Sequence, residues 1–216
     1  MVRTAEAMGA YTVKVLGIAA GYSHTLIATA EGVCTFGGND CGQLGHGNFR
    51  RVLGPKWVAG MPGVAVAAGG FHTVMCTDVG QVFTCGYAYS GQLGHGTRDE
   101  VEVIPRLVEA LVGRKVVTVA AGSSHTAVVT EGGQVLTFGA GGRGRLGHGS
   151  TRDKLTPQLV AALAGKKVTA VACAISHTTV CTDAGLFYTL GDGQRGQQGD
   201  WTAEYDVYKK QNICYA

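Results

Sequence analysis

The sequence predicts an all-β protein, a β-propeller of four-stranded antiparallel blades, and three observations support this. The phrase Gly-Gln-Leu-Gly-His occupies residues 42–46 and 91–95, and a variant with Arg in second place ends at His148, so the copies lie 49 and 53 residues apart. A period of this length is typical of a repeated supersecondary unit. Short runs of β-branched, Leu and aromatic residues, separated by Gly, Asp and Pro, favour strands over helices. The chain also has 35 Gly in 216 residues, mostly at equivalent repeat positions, as turns with positive φ require.

Each repeat contains four candidate strands in a fixed order. The first is an apolar run that ends in Ala-Gly in three of the four copies. The second begins with His-Thr three residues after that Gly, the third precedes the Gly-Gln-Leu-Gly-His turn, and the fourth follows a Pro after that turn. Four antiparallel strands in about fifty residues are the composition of a propeller blade.

The blade boundaries follow from this order. We expect an N-terminal tail at residues 1–12, blades at about 13–63, 64–115, 116–167 and 168–200, and an irregular tail at 201–216. The fourth copy keeps Gly196 and Gly199 but loses the Leu and the His, and no Pro with an apolar run follows it. The sequence therefore predicts three complete blades and a partial fourth.

The combined pattern has a known counterpart. An apolar-Ala-Ala-Gly-x-x-His-Thr segment, followed about 21 residues later by Gly-Gln-Leu-Gly-His-Gly, resembles the repeat of the regulator of chromosome condensation family from about Val13 to Gly199. The resemblance implies a propeller that usually closes with seven blades, so this chain corresponds to a partial or truncated one. Two alternatives are a ring closed by self-association through the open blade edges and a smaller or irregular ring.

Composition excludes several classes of function. The formal net charge is only +3, and the adjacent basic residues form isolated pairs rather than a stripe, so we expect no direct DNA binding. No uncharged apolar run is long enough to span a membrane. Seven Cys without a Cys-x-x-Cys pair favour reduced thiols, and we expect a cytoplasmic or nuclear protein.

The repeated His and Gly are interpreted as structural. Each repeat supplies one His of each class at an equivalent position, and equivalent residues of different blades lie too far apart to bind one ion. We therefore expect no metal site, no cofactor and no catalytic residue. Gly-x-Gly-x-x-Gly at residues 139–144 and 191–196 is followed by turn residues rather than a helix, so a dinucleotide site is not expected. The predicted structural positions are His24, His72, His125, His177, Gly45, Gly94, Gly147 and Gly199.

Recognition is expected at positions that differ between the copies. Tyr and Arg in variable loops are favoured at protein interfaces. The candidates for partner binding are Tyr87, Tyr89, Arg143, Arg145, Arg98, Asp99, Arg152 and Asp153.

We interpret the chain as a non-enzymatic protein–protein interaction propeller. The resemblance implies two settings: a fragment of a larger adaptor or ubiquitin-ligase-like protein, with a partner from the ubiquitin pathway, or, as the alternative, a guanine nucleotide exchange factor for a Ran-type small GTPase. Perception of ultraviolet light by stacked Trp is disfavoured, because the chain has only Trp57 and Trp201.

Overall fold

The computed structural model describes residues 13–62, 65–98 and 101–197, and the backbone of Gln211–Asn212. These residues form four antiparallel four-stranded sheets, each with its strands in chain order, and the described part contains no α-helix. The predicted all-β fold with four-stranded blades is confirmed. The predicted N-terminal tail, and most of the predicted C-terminal tail, lie outside the described residues.

The strands coincide with the apolar runs of the repeat. Blade 1 consists of β1 (Val15–Ala20), β2 (His24–Thr29), β3 (Gly32–Gly37) and β4 (Val52–Trp57). Blade 2 consists of β5 (Ala65–Ala68), β6 (His72–Cys76), β7 (Val82–Gly86) and β8 (Glu102–Leu107). Blade 3 consists of β9 (Val116–Ala121), β10 (His125–Thr130), β11 (Val135–Gly139) and β12 (Lys154–Leu159). Blade 4 consists of β13 (Val168–Cys173), β14 (His177–Thr182), β15 (Leu186–Gly191) and β16 (Gln211–Asn212). Short 3-10 turns lie at Glu109–Leu111, Gly142–Gly144 and Ala161–Leu163.

The fourth blade ends in a strand of two residues. In β16, Gln211 pairs with Phe187 and Asn212 with Leu186, whereas the other outer strands have six residues each. These two residues lie in the segment that was expected to be irregular. The short strand agrees with the prediction of a partial fourth blade.

The innermost strands of neighbouring blades pack side by side in the order β1, β5, β9, β13. They therefore line the axis of the arc. The turn between the first and second strands and the long loop between the third and fourth lie at one end of every blade, which we call the upper face; in blade 1 they are residues 21–23 and 38–51. The opposite end, which carries turns such as residues 78–81, is the lower face.

The hydrophobic core lies between the blades. One cluster joins blades 1 and 2 and includes Val33 and Met75; a second joins blades 2 and 3, and a third joins blades 3 and 4. Every residue of β6 and β10 is buried, because each middle blade is covered on both sides of its sheet. This explains why three consecutive apolar residues follow His-Thr in each of these strands, in place of an alternating pattern.

Among the described residues, none of the helical segments has the length and hydropathy that a membrane-spanning helix needs.

Candidate interaction surface

The strand His joins each blade to the next one. His72 Nε2 lies 3.0 Å from Oγ1 of Thr126, and that hydroxyl donates to the carbonyl oxygen of Gln92 at 2.8 Å. Because a Thr hydroxyl has a single proton, the imidazole must donate through Nε2–H. The same pairing joins His24 to Thr73 at 3.0 Å and His125 to Thr178 at 2.8 Å.

Burial keeps these imidazoles neutral. Desolvation lowers the pKa of His24 to about 4 and the pKa of His72 and His125 to about 3. A neutral imidazole with Nε2–H is the tautomer that the Thr hydroxyl requires. The three rings therefore hold blades together through Nε2–H, while Nδ1 of each ring is buried and has no hydrogen-bond partner among the described residues.

In blades 1 to 3, the Gly three residues before the strand His makes room for the imidazole ring. A Cβ at Gly69 would lie 2.2 Å from Cε1 of His72 and 2.7 Å from the carbonyl oxygen of Gly122. In blade 4 the equivalent residue is Ala174, and His177 is only half-buried. The Ala-Gly-x-x-His spacing is thus a packing requirement between the ring and its own turn.

The turn His serves its own blade. His95 Nε2 lies 2.9 Å from Oγ1 of Thr84, whose hydroxyl donates to the carbonyl oxygen of Leu93 at 2.8 Å. Corresponding bonds hold His46 to Thr35 and His148 to Thr137. Within residues 13–62, 65–98 and 101–197, no three His, Cys, Asp or Glu side chains converge as metal ligands would.

The Gly inside the turn needs both its conformation and its small size. Gly94 has φ +79°, and a Cβ there would lie 2.9 Å from Cε2 of Phe138 in the next blade. Gly45 and Gly147 have φ +73° and +75° and similar close contacts. Gly199 lies outside the described residues, as does the partner-binding candidate Asp99.

Two of the partner-binding candidates form an exposed aromatic pair on the upper face. Tyr87 and Tyr89 follow β7, and their rings stack with centroids 6.1 Å apart. They are 39% and 60% exposed. A rigid, solvent-facing aromatic pair offers large apolar contact area with little loss of side-chain entropy.

The charged candidates are more constrained. Arg98 pairs with Asp153 of the next blade at 3.2 Å, and Arg143 pairs with Asp192 of blade 4. Arg145 donates from Nη1 to the carbonyl oxygen of Ile175 at 2.7 Å, which also joins blades 3 and 4.

Exposure decides which of these groups a partner could use. Arg152 is exposed. A partner could also replace the ion pair between Arg98 and Asp153 with contacts of its own, because exposed ion pairs contribute little stability. The structure therefore brings Tyr87 and Tyr89 together as a pair and places Arg145 in a contact between blades.

Sequence reasoning missed a second exposed apolar group at the axis. Tyr22, Phe71 and Ile175 rim a shallow cavity of about 430 Å³ on the upper face, floored by Gly and Ala of the first strands. The rings of Tyr22 and Phe71 lie 5.7 Å apart. These residues occupy the two positions before the strand His; the first position differs in every copy, and the second is Ser in three copies and Phe71 in blade 2. That variation was the signal that could have identified them.

The repeat matches a known family model. The model described as "Regulator of chromosome condensation (RCC1) repeat" matches residues 31–76, 79–129 and 132–181, and a second model of the same description matches residues 64–92 and 116–145. The first set alone covers more than half of the chain. Each of its matches contains the last two strands of one blade and the first two of the next.

Curated relatives include large ligases and a receptor. The chain is 38% identical over 193 residues to "Probable E3 ubiquitin-protein ligase HERC4" of Homo sapiens, covering 87% of this chain and 18% of that protein. It is 38% identical over 196 residues to "E3 ubiquitin-protein ligase HERC2" of Homo sapiens, covering 88% and 4%. It is 34% identical over 191 residues to "Ultraviolet-B receptor UVR8" of Arabidopsis thaliana, covering 86% and 43%. The chain thus spans less than half the length of each of these relatives.

Solved structures share the fold. Human WBSCR16 superimposes with a TM-score of 0.81 at 25% identity, covering 92% of this chain and 53% of that one. Prp20p from Saccharomyces cerevisiae superimposes with a TM-score of 0.81 at 19% identity, covering 95% and 52%.

Proposed function

Because this chain belongs to the regulator of chromosome condensation (RCC1) repeat family, we propose that it is a non-enzymatic protein-interaction module that binds its partner with the upper face. One observation carries the proposal. Repeat-invariant side chains such as His72 are buried between blades, whereas variable positions of the upper face present Tyr87 and Tyr89 to solvent. A scaffold that buries its constant residues and exposes its variable ones is suited to recognition.

The finer proposal is that this module docks proteins in an adaptor or a ubiquitin-ligase-like setting. It is supported by the identity to the HERC4 and HERC2 ligases over most of this chain. The module matches only a small share of those proteins, so its proposed contribution is to hold a partner rather than to transfer ubiquitin. The proposed setting is the cytoplasm or nucleus, consistent with six free Cys among the described residues.

The aromatic pair gives the first prediction. The double variant Tyr87→Ala with Tyr89→Ala should lose most partner capture, by about tenfold or more, because exposed aromatic anchors dominate interface energy. Its free energy of unfolding in urea should stay within about 0.5 kcal/mol of the wild type, since both side chains face solvent. Quantitative affinity capture from lysate, with the purified chain as bait, measures the effect.

A matched control separates recognition from general surface change. Val79 is exposed on the lower face, so Val79→Ala should retain the proteins that the wild type captures. Equal losses in both variants would contradict the assignment of the upper face. A large drop in the stability of the Tyr variant would mean that the pair belongs to the core.

The alternative, nucleotide exchange on a Ran-type GTPase, gives the second prediction. Prp20p has binding properties to Gsp1p and histones, but the likeness of this chain to Prp20p concerns the fold alone. In blades 1 to 3 the loops between the third and fourth strands have 14, 15 and 14 residues, so none of these three carries an insertion that could pry at a nucleotide site. Mixing the purified chain with Ran-type GTPase loaded with fluorescent GDP should leave nucleotide release at its intrinsic rate. Stimulation of about tenfold or more would replace our proposal by the alternative.

A further inference from the structure

The long upper-face loops of blades 2 and 3 bring four Arg side chains into one group. Arg98 of blade 2 pairs with Asp153 of blade 3 at 3.2 Å, and Arg152 directly precedes that Asp in the chain. The pKa of Arg145 is lowered by burial and next by the charge of Arg143, while the charge of Asp153 acts in the opposite sense. The charges of the two loops therefore lie within range of one another. We call the group the arginine cluster: Arg98, Arg143, Arg145 and Arg152.

The carboxylates that pair with the cluster lie deeper than its guanidinium groups. Asp192 of blade 4 is buried and pairs with Arg143, whose side chain is 55% exposed. In the pair of Arg98 with Asp153, the Arg side chain is 48% exposed and the Asp side chain 25%. Among the described residues, four guanidinium groups thus meet two carboxylates, and in each ion pair the positive charge is the one nearer to solvent. The excess positive charge faces outward, where it favours an anionic ligand.

Arg143 is held in position in spite of backbone strain. Its φ is +61°, and no other non-Gly residue in the described part of the chain has a positive φ. The carboxylate of Asp192 that pairs with it is itself fixed, because its Oδ1 accepts the backbone N–H of Gln194 at 3.0 Å. Strained backbone conformations that a fold retains are concentrated at functional sites. A guanidinium that is already fixed loses little side-chain entropy when it binds a ligand.

We propose that the arginine cluster binds an acidic segment of the partner protein, whose carboxylates pair with the guanidinium groups of Arg98, Arg143 and Arg152. The proposal rests on the upper-face function proposed above and names the chemistry of its partner. A guanidinium has five N–H donors, so an Arg that is paired with one Asp can still bind a second carboxylate. The described upper-face turns and loops contain seven Arg and no Lys, and Arg is the cation that pairs with carboxylates in a bidentate manner.

The composition of this surface favours a protein segment over a nucleic acid. A nucleic acid presents a regular row of phosphates and is bound by a continuous basic stripe. Here Asp153 and Asp192 lie among the Arg side chains and would repel such a row. The stacked rings of Tyr87 and Tyr89 belong to the same loop as Arg98, and they offer apolar contact to side chains that flank the acidic residues of a peptide.

A pair of labelled peptides tests the proposal. The probe is a fluorescein-labelled peptide in which Glu alternates with Ser around one central Leu, and its control has Gln in place of every Glu. In fluorescence anisotropy, the purified chain should bind the Glu peptide about tenfold or more tightly than the Gln peptide. The double variant Arg98→Gln with Arg152→Gln should bind the Glu peptide about tenfold more weakly than the wild type, because two guanidinium groups are lost. Both residues are exposed, so the variant is expected to fold.

A matched variant on the lower face separates local binding from an effect of net charge. Arg114→Gln with Lys167→Gln changes the net charge by the same amount at two exposed residues between blades, and it should bind the Glu peptide like the wild type. Equal binding of the two peptides, equal losses in the two double variants, or tighter binding of a labelled DNA duplex than of the Glu peptide would overturn the proposal. Partner capture that depends on Tyr87 and Tyr89, together with no binding of the Glu peptide, would leave the proposed function standing and reject the acidic partner.

Discussion

Gly69→Ala is expected to lower the free energy of unfolding by about 3 kcal/mol. The added methyl group would overlap the ring of His72 and approach the carbonyl oxygen of Gly122. The imidazole must then move, which breaks its bond to Thr126 and leaves a buried polar group unpaired. Overpacking and the lost hydrogen bond act on one interface, so blades 2 and 3 should separate more easily.

Gly132→Ala is the matched control for this prediction. Gly132 is also a Gly of a tight turn, in blade 3, but the nearest atom to a Cβ there is 3.9 Å away and its φ is not positive. The same substitution should therefore change stability by less than about 0.5 kcal/mol, or raise it slightly by restricting the unfolded chain. Urea unfolding followed by circular dichroism measures both variants. Equal stabilities for Gly69→Ala and Gly132→Ala would show that the buried position of the His72 imidazole does not require Gly at residue 69.

The blade was predictable because its determinants are local. Strand runs, Gly turns and the spacing from Gly69 to His72 all lie within one repeat, and they identify the four strands before any contact is known. The His–Thr bond between blades was not predictable, because His72 and Thr126 are 54 residues apart and neither residue type specifies the other. The short strand β16 was missed because it also forms through residues distant in sequence: Gln211 and Asn212 pair with Phe187 and Leu186 of β15. They do not lie in an apolar run, which is the feature that identified the other strands.

The candidate site was predictable only in part. Variation among copies identified Tyr87 and Tyr89, which the structure places side by side. It also selected Arg143 and Arg145, but the groups that they contact, Asp192 and the carbonyl oxygen of Ile175, belong to the next blade. Variation among copies shows that a position does not take part in the packing common to all repeats. It does not show whether the residue at that position contacts the neighbouring blade.

The unit of sequence repetition differs from the unit of structure. Each family match, such as residues 79–129, begins with β7 of one blade and ends with β10 of the next. One sequence repeat therefore contains the loop that supplies the carbonyl acceptor and the Thr that donates to it, as in Gln92 and Thr126. The segment that repeats most faithfully is the one that carries an interface between blades.

Stability should fall steeply as the pH is lowered from about 6.5 to about 4. Burial lowers the pKa of His24 to about 4 and the pKa of His72 and His125 to about 3, whereas an unfolded His titrates near pH 6.5. Over this window the unfolded chain binds more protons than the folded one, so protonation favours unfolding as the pH falls. Each His contributes about 1.4 kcal/mol per pH unit, and the three together about 4 kcal/mol per pH unit.

A loss of this size amounts to about 10 kcal/mol between pH 6.5 and pH 4, which is comparable to the whole stability of an ordinary domain, about 5 to 15 kcal/mol. Carboxylates do not account for the upper part of the decline. Asp192, for example, has a pKa held below its usual value chiefly by the backbone N–H of Gln194, and its contribution is lost only below about pH 4. Urea unfolding at pH 7.5, 6.5, 5.5 and 4.5 measures the slope, and His72→Gln should reduce it by about 1.4 kcal/mol per pH unit even though the variant is less stable at neutral pH. A stability that stays constant down to pH 5, or an unchanged slope in His72→Gln, would mean that these imidazoles are not buried and neutral between the blades.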